Sequence, residues 1–308
     1  MPAPKGFMLL SALTLALTTT AVSTTTQAEP PPLRVAATFS VLGDLVREVA
    51  GDDARVELLT PAGAEVHEWE LIPSNFITLE EAEMVFYNGY GLEQWMGQVN
   101  ATAADGVPVI AVAEQSGYPT QPIVTGDYAG EVDPHMWMDP RAAAEYARVI
   151  ADALAEARPE AAEAFQARAE ELGESLHALY DELMASLATI PEEQRLLISS
   201  EAAFVYFAEA FGFEHDGIWG TNAEEEGTPR QIMRIIDMIE EKQPAAIFWE
   251  STISDRHVRS VAEETGVAIA GPLYVDSLSE PDGEAPDYAG MLRHNVRLLR
   301  DALGGEHE

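Results

Sequence analysis

The sequence contains no cysteine among its 308 residues. An exported protein of this size is free to form disulfides, so their absence is informative. The chain also has no thiolate that could bind a soft metal or act as a nucleophile. A lipid attached through a cysteine is excluded in the same way, so we expect no direct lipid anchor.

Basic residues are scarce. The chain has 17 lysines and arginines against 53 aspartates and glutamates, which gives a formal net charge of -36. Such a surface repels phosphate backbones and anionic lipids, so we expect no nucleic-acid partner and no binding to a membrane surface. The acidic residues are dispersed, as in EARPEAAEAFQARAEELGE, which is typical of solvated helix faces. Charge alone therefore does not locate a site.

Long apolar runs are missing after the first part of the chain. The early run Phe7–Leu17 follows Lys5 and is followed by small polar residues up to Ala28. It is too short to span a bilayer, and its layout is that of a cleavable signal. We predict a secretion signal over residues 1–28, with Ser23 as a second cleavage point. Together with the missing cysteine, this predicts a protein that is free in the periplasm and is not a lipoprotein.

Motifs of several enzyme classes are absent or incomplete. The segment HEWEL begins like the zinc-protease helix H-E-x-x-H but lacks its second histidine. The sequence has no G-x-S-x-G nucleophile elbow and no Walker phosphate loop. These catalytic motifs are therefore excluded, and a secreted metalloenzyme stays open as the alternative from another functional class.

Short apolar segments alternate with helix-forming segments through most of the chain. LRVAATFS, ARVELLTP, EMVFYNG and VPVIAVA predict strands in the first half, and RLLISS, PAAIFWES and VAIAGPLYV predict strands in the second. Helical segments between them imply parallel sheets. We predict an α/β fold with two lobes, each a parallel β-sheet flanked by helices, at residues 29–158 and 190–308. One long helix at residues 159–189 joins them, after a break at Arg158-Pro159.

Polar side chains that can bind metal stand near the ends of predicted strands. They are His67, His135, Glu201 and Asp276. Parallel α/β sheets place ligand-binding residues just past the carboxyl ends of their strands. Singly, each residue has a structural explanation, because loop histidines often lie in turns and carboxylates often cap helices. Together, two imidazoles and two carboxylates could converge in the cleft between the lobes.

This set of side chains suits a divalent first-row metal. Neutral imidazole and carboxylate oxygen are compatible with Mn, Fe or Zn, whereas a soft copper site needs cysteine or a methionine cluster. Asp133 and Asp139 flank His135 in VDPHMWMDP and are rivals that could bind the metal directly or orient the histidine. The Met-Trp-Met triplet after His135 is more typical of packing that fixes the turn.

Six motifs occur in a characteristic order: VHEWEL, VDPHMWMDP, SSEAAFVYFAEAFGF, NAEEEGTP, FWESTISDR and YVDSLSEP. With them the chain resembles the substrate-binding proteins of metal ABC transporters, called cluster A-I or family 9 solute-binding proteins, from about Arg34 to the last helix. The resemblance implies two lobes bridged by one long helix, about Pro159 to Leu187. It also implies that the metal ligands are His67, His135, Glu201 and Asp276.

Two features resemble the manganese-type branch of that family. Zinc-type members commonly have histidine at the position of Glu201 and often a histidine-rich acidic loop before VDPHMWMDP, but residues 114–132 contain no histidine. The segment EEEGTP fits the same branch, and iron or zinc stays open. The chain departs from the family before its first histidine, where Glu65-Val66 replaces the usual Asp-Pro.

The resemblance implies a monomeric periplasmic receptor that captures Mn2+ between its lobes, with no catalytic residues and no enzyme activity. It would deliver the metal to an ABC permease and its ATPase subunit in the inner membrane. Zn2+ or Fe2+ is the alternative cargo, and a cation-rich surface protein without a defined site is a further alternative. One stiff helix between the lobes predicts a small motion on release. Protonation of the histidines below about pH 6.5 should weaken binding.

Overall fold

The structure is a computed structural model that describes residues 1–2, 31–222 and 226–304. Apart from its first two residues, the predicted signal over residues 1–28 lies outside the described residues. The chain divides into a short unit, Met1–Pro31, and a compact unit, Pro32–Glu308, to which every element below belongs. Within the described ranges, none of the helices combines the length and the apolar character that a membrane span requires.

The first half of the compact unit is built on four strands, β1 Leu33–Ala37, β2 Ala54–Leu58, β3 Met84–Tyr87 and β4 Val109–Ala111. They form one parallel sheet in the order β2-β1-β3-β4. The central strands β1 and β3 are largely buried, which is why their sequences are apolar runs rather than alternating patterns. All four predicted strands of this half are confirmed, with shorter bounds.

Four helices follow these strands: α1 Ser40–Ala50, α2 Pro73–Glu81, α3 Met96–Thr102 and α4 Val112–Ser116. α1 turns Val41, Leu45 and Val49 toward the core, a spacing of one helical turn. α2 begins at a proline, which fits the first position of a helix because that residue needs no N–H there. α4 was not predicted, since five residues are too few to show a helical period.

Two long helices occupy the middle of the chain, α5 Pro140–Ala157 and α6 Ala162–Leu187. α5 begins sharply because Asp139 accepts the N–H of Arg141 and Pro140 takes the first helical position. A short 3-10 turn, Pro159–Ala161, separates the two helices. The predicted break before Pro159 and the long helix that follows it are therefore confirmed.

The second half contains two short parallel sheets. β5 Leu196–Glu201 pairs with β6 Glu214–Trp219, and β7 Ala246–Glu250 pairs with β8 Ala268–Leu273. β6 was not predicted, because its first residues, EHD, are polar and at least partly exposed. The carboxyl ends of β5 and β7 meet where the N–H of Glu201 donates to Glu250 Oε1 at 3.3 Å.

Four helices complete the second half: α7 Val205–Phe211, α8 Pro229–Lys242, α9 Arg256–Thr265 and α10 Tyr288–Leu303. α8 and α9 cover the short sheets through a cluster of isoleucine and valine side chains. α10 packs into the larger cluster, which also contains residues of β1, β3, α1, α5 and α6. The larger apolar core thus joins residues from both ends of the compact unit.

The architecture confirms the predicted fold class, an α/β protein whose parallel sheets are flanked by helices. The lobe boundaries at residues 29–158, 159–189 and 190–308 stay a prediction. Because the strands of each sheet run parallel, their carboxyl ends lie along one edge of that sheet. These edges are where the candidate site forms.

Candidate metal site

His67, His135, Glu201 and Asp276 come together in one buried group. One nitrogen or oxygen atom from each lies within 4.8 Å of the others. His67 Nε2 is 3.4 Å from Glu201 Oε1 and 3.9 Å from Asp276 Oδ2. His135 Nε2 is 3.7 Å from Glu201 Oε2 and 3.5 Å from Asp276 Oδ1. Each imidazole therefore faces both carboxylates.

Each residue of this group stands at or beyond the carboxyl end of a strand or before a helix. His67 lies in the loop between β2 and α2, and His135 lies just before the 3-10 turn Met136–Met138 that leads into α5. Glu201 is the last residue of β5, and Asp276 lies shortly past the end of β8. The structure thus brings together all four residues that the strand-end argument selected.

Several atoms of the group are buried without a hydrogen-bond partner among the described residues: His67 Nδ1 and Nε2, His135 Nε2, Glu201 Oε2 and Asp276 Oδ1. Buried polar atoms are normally paired, because a missing partner costs about 1–3 kcal/mol. A divalent cation would satisfy both Nε2 atoms and both carboxylates at once. Two imidazoles and two carboxylates are also a chemically suitable donor set for such a cation.

Asp133 contacts His135 at its backbone and at the ring nitrogen that does not face the two carboxylates. Its Oδ1 accepts the backbone N–H of His135 at 2.8 Å and lies 3.0 Å from His135 Nδ1. This contact occupies Nδ1 and leaves Nε2 as the ring atom that faces the two carboxylates. Of the two roles that the sequence left open for Asp133, the geometry favours orientation of the histidine.

Asp139 has a different role. It caps α5 through the N–H of Arg141, and it binds the Arg141 guanidinium at 2.7 Å. It also accepts the hydroxyl of Tyr118 at 2.6 Å. Protein groups thus engage both of its oxygens, and Asp139 fixes the start of the helix rather than joining the group.

The Met-Trp-Met triplet is fully buried, as expected for packing residues. The Trp137 ring lies 5.3 Å from the His135 ring, measured between centroids. Its indole N–H donates to the carbonyl of Val275 at 3.1 Å, and its own carbonyl accepts the hydroxyl of Tyr288 at 2.6 Å. Because Val275 precedes Asp276, the tryptophan links the histidine loop to the segment that carries a carboxylate.

The His67 loop is held mainly through its backbone. Glu65 Oε1 accepts the N–H of His67 at 3.0 Å, and its Oε2 accepts the N–H of Glu68 at 3.1 Å. Glu65 therefore holds two successive backbone N–H groups of this loop, at the position where the family the sequence resembles often has Asp-Pro. It does so without a contact to Nδ1 of His67, which stays unpaired within the described part of the chain.

Two residues that the sequence did not reveal position the carboxylates. The N–H of Asn222 donates to Glu201 Oε1 at 2.8 Å, and its side-chain amide lies 3.5 Å from Asp276 Oδ2. Glu250 accepts the N–H of Glu201. Asn222 follows β6, which was itself missed, whereas Glu250 ends β7 and could have been found by the strand-end argument.

The two histidines have opposite proton affinities. Burial lowers the pKa of His67 to about 4, so its ring is neutral and able to bind metal near neutral pH. Burial also disfavours charge on His135, but the carboxylates of Asp133 and Glu201 outweigh it and raise the pKa of His135 well above its usual value.

The pKa values of the two carboxylates are also shifted in opposite directions. Burial, together with the nearby charge of Asp276, raises the pKa of Glu201 well above its usual value. Burial acts on Asp276 too, yet the two neighbouring imidazoles, with His135 Nε2 3.5 Å from Asp276 Oδ1, lower the pKa of Asp276. Without a cation, the His135–Glu201 pair therefore keeps a proton that a bound metal would displace.

Comparisons with known proteins match this chain over most of its length. Residues 35–302 match the family described as ZnuA: Zinc-uptake complex component A periplasmic. The chain is 36% identical over 283 residues to the manganese-binding lipoprotein MntA of Halalkalibacterium halodurans, with 92% of each chain covered. It is 37% identical over 289 residues to the iron-binding protein YfeA of Yersinia pestis, again with 92% of each covered.

The structure is also similar to a solved one. The Mn-bound periplasmic metal binding protein from Candidatus Liberibacter asiaticus superposes with a TM-score of 0.79 at 30% sequence identity. The match covers 87% of this chain and 98% of that chain. The shared fold therefore extends over nearly all of the compact unit.

These relatives correct the predicted location. We expected a free periplasmic protein that is not a lipoprotein, because the sequence has no cysteine. That prediction is wrong, since the similar protein MntA is named a lipoprotein. The prediction rested on the absence of cysteine alone, and the composition of a chain does not report where its family is located. The comparisons support a family that faces the periplasm or the extracellular space.

Proposed function

The chain belongs to the ZnuA family of substrate-binding components of metal ABC importers, and we propose that it binds Mn2+ as cargo through His67, His135, Glu201 and Asp276. Proteins of this family are transport components rather than enzymes, and they serve a membrane permease and its ATPase. One observation carries the proposal. Each of these four side chains has a buried nitrogen or oxygen atom that faces the group and has no hydrogen-bond partner among the described residues.

The charge of the group supports a divalent cation. Two carboxylates balance the two positive charges of the metal, and the two imidazoles add neutral donors. This balance matters because the four side chains are at most 2% exposed, and an uncompensated charge at such depth is costly. Glu201 and Asp276 can each offer a second oxygen, so more than four contacts are possible.

This capacity for extra oxygen contacts favours Mn2+ over Zn2+. Structural zinc sites are almost always tetrahedral and closed by nitrogen or sulfur donors, whereas manganese accepts more oxygen donors. The named relatives MntA and the Mn-bound Liberibacter protein support manganese. The relative YfeA, at 37% identity, makes Fe2+ the second candidate, because Fe2+ accepts the same nitrogen and oxygen donors.

The arrangement also suggests how the cargo is released. Both histidines precede α6 in the chain, and both carboxylates follow it. A small separation of these two halves would move the imidazoles away from the carboxylates and weaken every pair at once. The unbroken α6 between them favours a small displacement over wide hinge opening. We propose that contact with the permease supplies this displacement.

Titration calorimetry on chelator-stripped protein tests the ligand set. We expect one Mn2+ per chain, and we expect His135→Ala to weaken binding by about 100-fold or more, because even outer partners of metal ligands contribute about 10- to 100-fold. His177→Ala is the matched control, since His177 is exposed on α6. Wild-type affinity in His135→Ala would show that the proposed ligand set is wrong.

A second experiment tests the choice of metal. Glu201→His replaces a carboxylate by an imidazole and should shift the preference from Mn2+ toward Zn2+, measured by competition between the two ions. An unchanged preference would remove Glu201 as the basis of selectivity. Metal analysis of protein purified from its own cells without chelator then identifies the cargo. Iron or zinc there would overturn manganese while leaving the four ligands in place.

A further inference from the structure

A buried carboxylate outside the metal group ties together two strand ends of the first sheet. Glu93 lies in the loop between β3 and α3 and is 4% exposed. Its Oε1 accepts the hydroxyl of Thr38 at 2.7 Å and the N–H of Asn88 at 2.8 Å. Its Oε2 accepts the N–H of Gly89 at 3.3 Å. Because Thr38 follows β1 and Asn88 follows β3, Glu93 fixes these neighbouring strand ends to each other.

The segment that Glu93 holds, residues 88–95, also contacts the His67 loop. The N–H of Gln94 donates to the carbonyl of His67 at 3.2 Å. The indole N–H of Trp95 donates to the carbonyl of Val66 at 2.7 Å, in a place that is shielded from water. Two consecutive residues of the segment therefore hold the backbone at and before His67.

The start of the same segment contacts the His135 loop. The side-chain amide of Asn88 donates to the carbonyl of Pro134 at 2.9 Å, and its oxygen accepts the hydroxyl of Tyr146 at 2.8 Å. Pro134 directly precedes His135. Residues 88–95 thus touch both histidine loops, one near each end of the segment.

The turn inside this segment depends on side chains to hold its shape. Gly89, Tyr90 and Gly91 have φ values of 97°, 51° and 76°. This left-handed region suits glycine but is strained for Tyr90. Glu93 accepts the N–H of Gly89, and Glu114 accepts the N–H of Tyr90 at 2.9 Å. Without the Glu93 carboxylate, the start of the turn would be free to relax, and Asn88 would move with it.

Building on the proposed four-ligand site, we propose that Glu93 is a positioning residue that sets the spacing of the His67 and His135 loops through residues 88–95. The two imidazole rings are 5.5 Å apart between centroids, and both loops that carry them are fastened to this segment. The carboxylate acts without touching the metal. It therefore determines how well the preformed pair of histidines fits Mn2+.

Two substitutions at Glu93 separate its hydrogen bonds from its charge. Glu93→Ala removes all three contacts, and we expect Mn2+ affinity to fall by about 10- to 100-fold, as for other residues that orient metal ligands. Glu93→Gln can keep the two contacts made by Oε1, so we expect its affinity to stay within about threefold of wild type, the effect of one weak hydrogen bond. Calorimetry measures both values.

Asp216→Asn is the matched control. Asp216 is a partly buried carboxylate on β6 that pairs with Arg234 at 2.8 Å and accepts the N–H of Gly217. Its loss should lower thermal stability but leave Mn2+ affinity and the electron paramagnetic resonance spectrum of bound Mn2+ unchanged. The spectrum of Glu93→Ala should differ from wild type, because the ligand geometry has changed. A merely structural role for Glu93 would move the stability and not the spectrum.

Asn88→Ala keeps the test decisive if Glu93→Ala does not fold. It removes the contact to Pro134 while the Glu93 carboxylate stays in place, and we expect about tenfold weaker Mn2+ binding. Folded Glu93→Ala with wild-type affinity and spectrum overturns the inference, as does Glu93→Gln that binds as weakly as Glu93→Ala. Both results leave the proposed function intact if His135→Ala still weakens Mn2+ binding by about 100-fold or more. Failure of the wild-type protein to bind Mn2+ removes the function itself.

Discussion

The two histidine loops use the same local device and reach different results. In each, a carboxylate two residues before the histidine accepts that histidine's backbone N–H: Asp133 for His135 at 2.8 Å and Glu65 for His67 at 3.0 Å. Asp133 also lies 3.0 Å from Nδ1 of its histidine. Glu65 makes no such contact and instead accepts a second backbone N–H from Glu68.

This difference decides which part of the molecule orients each ring. His135 is oriented from within its own loop, and the Asp133 carboxylate helps to raise the pKa of its imidazole. His67 depends on the neighbouring segment 88–95 for its backbone position, and burial lowers the pKa of its imidazole to about 4. Before the metal binds, His135 thus carries a proton that the metal must displace, whereas His67 is already neutral.

Removal of either imidazole gives the largest expected effect. His67→Ala and His135→Ala should each weaken Mn2+ binding by about 100-fold or more, since outer partners of ligands already contribute about 10- to 100-fold. Calorimetry would measure both, with circular dichroism to establish folding. If only one substitution weakened binding, the two loops would differ in whether they bind metal, not merely in how they are held.

Asp133→Asn tests the second part of the comparison. The amide keeps the shape of the side chain but loses the charge that faces Nδ1, so Mn2+ affinity should fall by about 10- to 100-fold. Asp152→Asn is a suitable control, because this carboxylate is 63% exposed on α5 and distant in sequence from either loop. Affinity within twofold of wild type in Asp133→Asn would mean that Nδ1 needs no anionic partner.

Much of the fold follows from the sequence because its periodic signals are strong. The apolar runs that became β1, β3 and β5 are buried strands, and Arg158-Pro159 marks the break before α6. β6 escaped prediction since only its last residues, Gly217 to Trp219, are buried, while its first half is polar. Strands are predicted from runs of apolar residues, and apolar residues mark buried positions. A strand that is buried over only half its length therefore shows too short an apolar run to be predicted.

The candidate site was predictable to a similar extent. Strand-end topology selected the four residues that converge, because that rule depends only on chain direction. It could not reveal that Asn88 reaches Pro134, 46 positions away, or that Asn222 holds Glu201. Such contacts depend on how loops approach in three dimensions, and no local pattern of residues encodes that approach.

The pH dependence of Mn2+ binding should show the two histidines separately. Below the raised pKa of His135, the metal-free His135–Glu201 pair holds one proton that Mn2+ must displace. Affinity should therefore fall by about tenfold for each unit of pH below that pKa, the value for one displaced proton. His67, with a pKa of about 4, adds a second proton only as the pH approaches that value.

Calorimetric titrations from about pH 8 to pH 5 would measure this slope, at pH values where imidazole protonation normally matters. Asp133→Asn should lower the pKa of His135 and so move the onset of the decline to lower pH. Constant affinity over the whole range would contradict ligation by His135.

Glu65→Gln should have the smallest effect on Mn2+ affinity, and it tests how the His67 loop is held. The amide oxygen can still accept the N–H of His67, so we expect Mn2+ affinity to fall by no more than about threefold, equivalent to part of one hydrogen bond.

Trp95→Phe removes the indole contact to Val66 and should lower Mn2+ affinity on the same scale. If the segment 88–95 and Glu65 hold one loop together, the double variant should lose more than the product of the two single losses, because residues that share a structural unit are not additive. Strictly multiplicative losses would mean that Glu65 and Trp95 act on the His67 loop independently rather than as one unit.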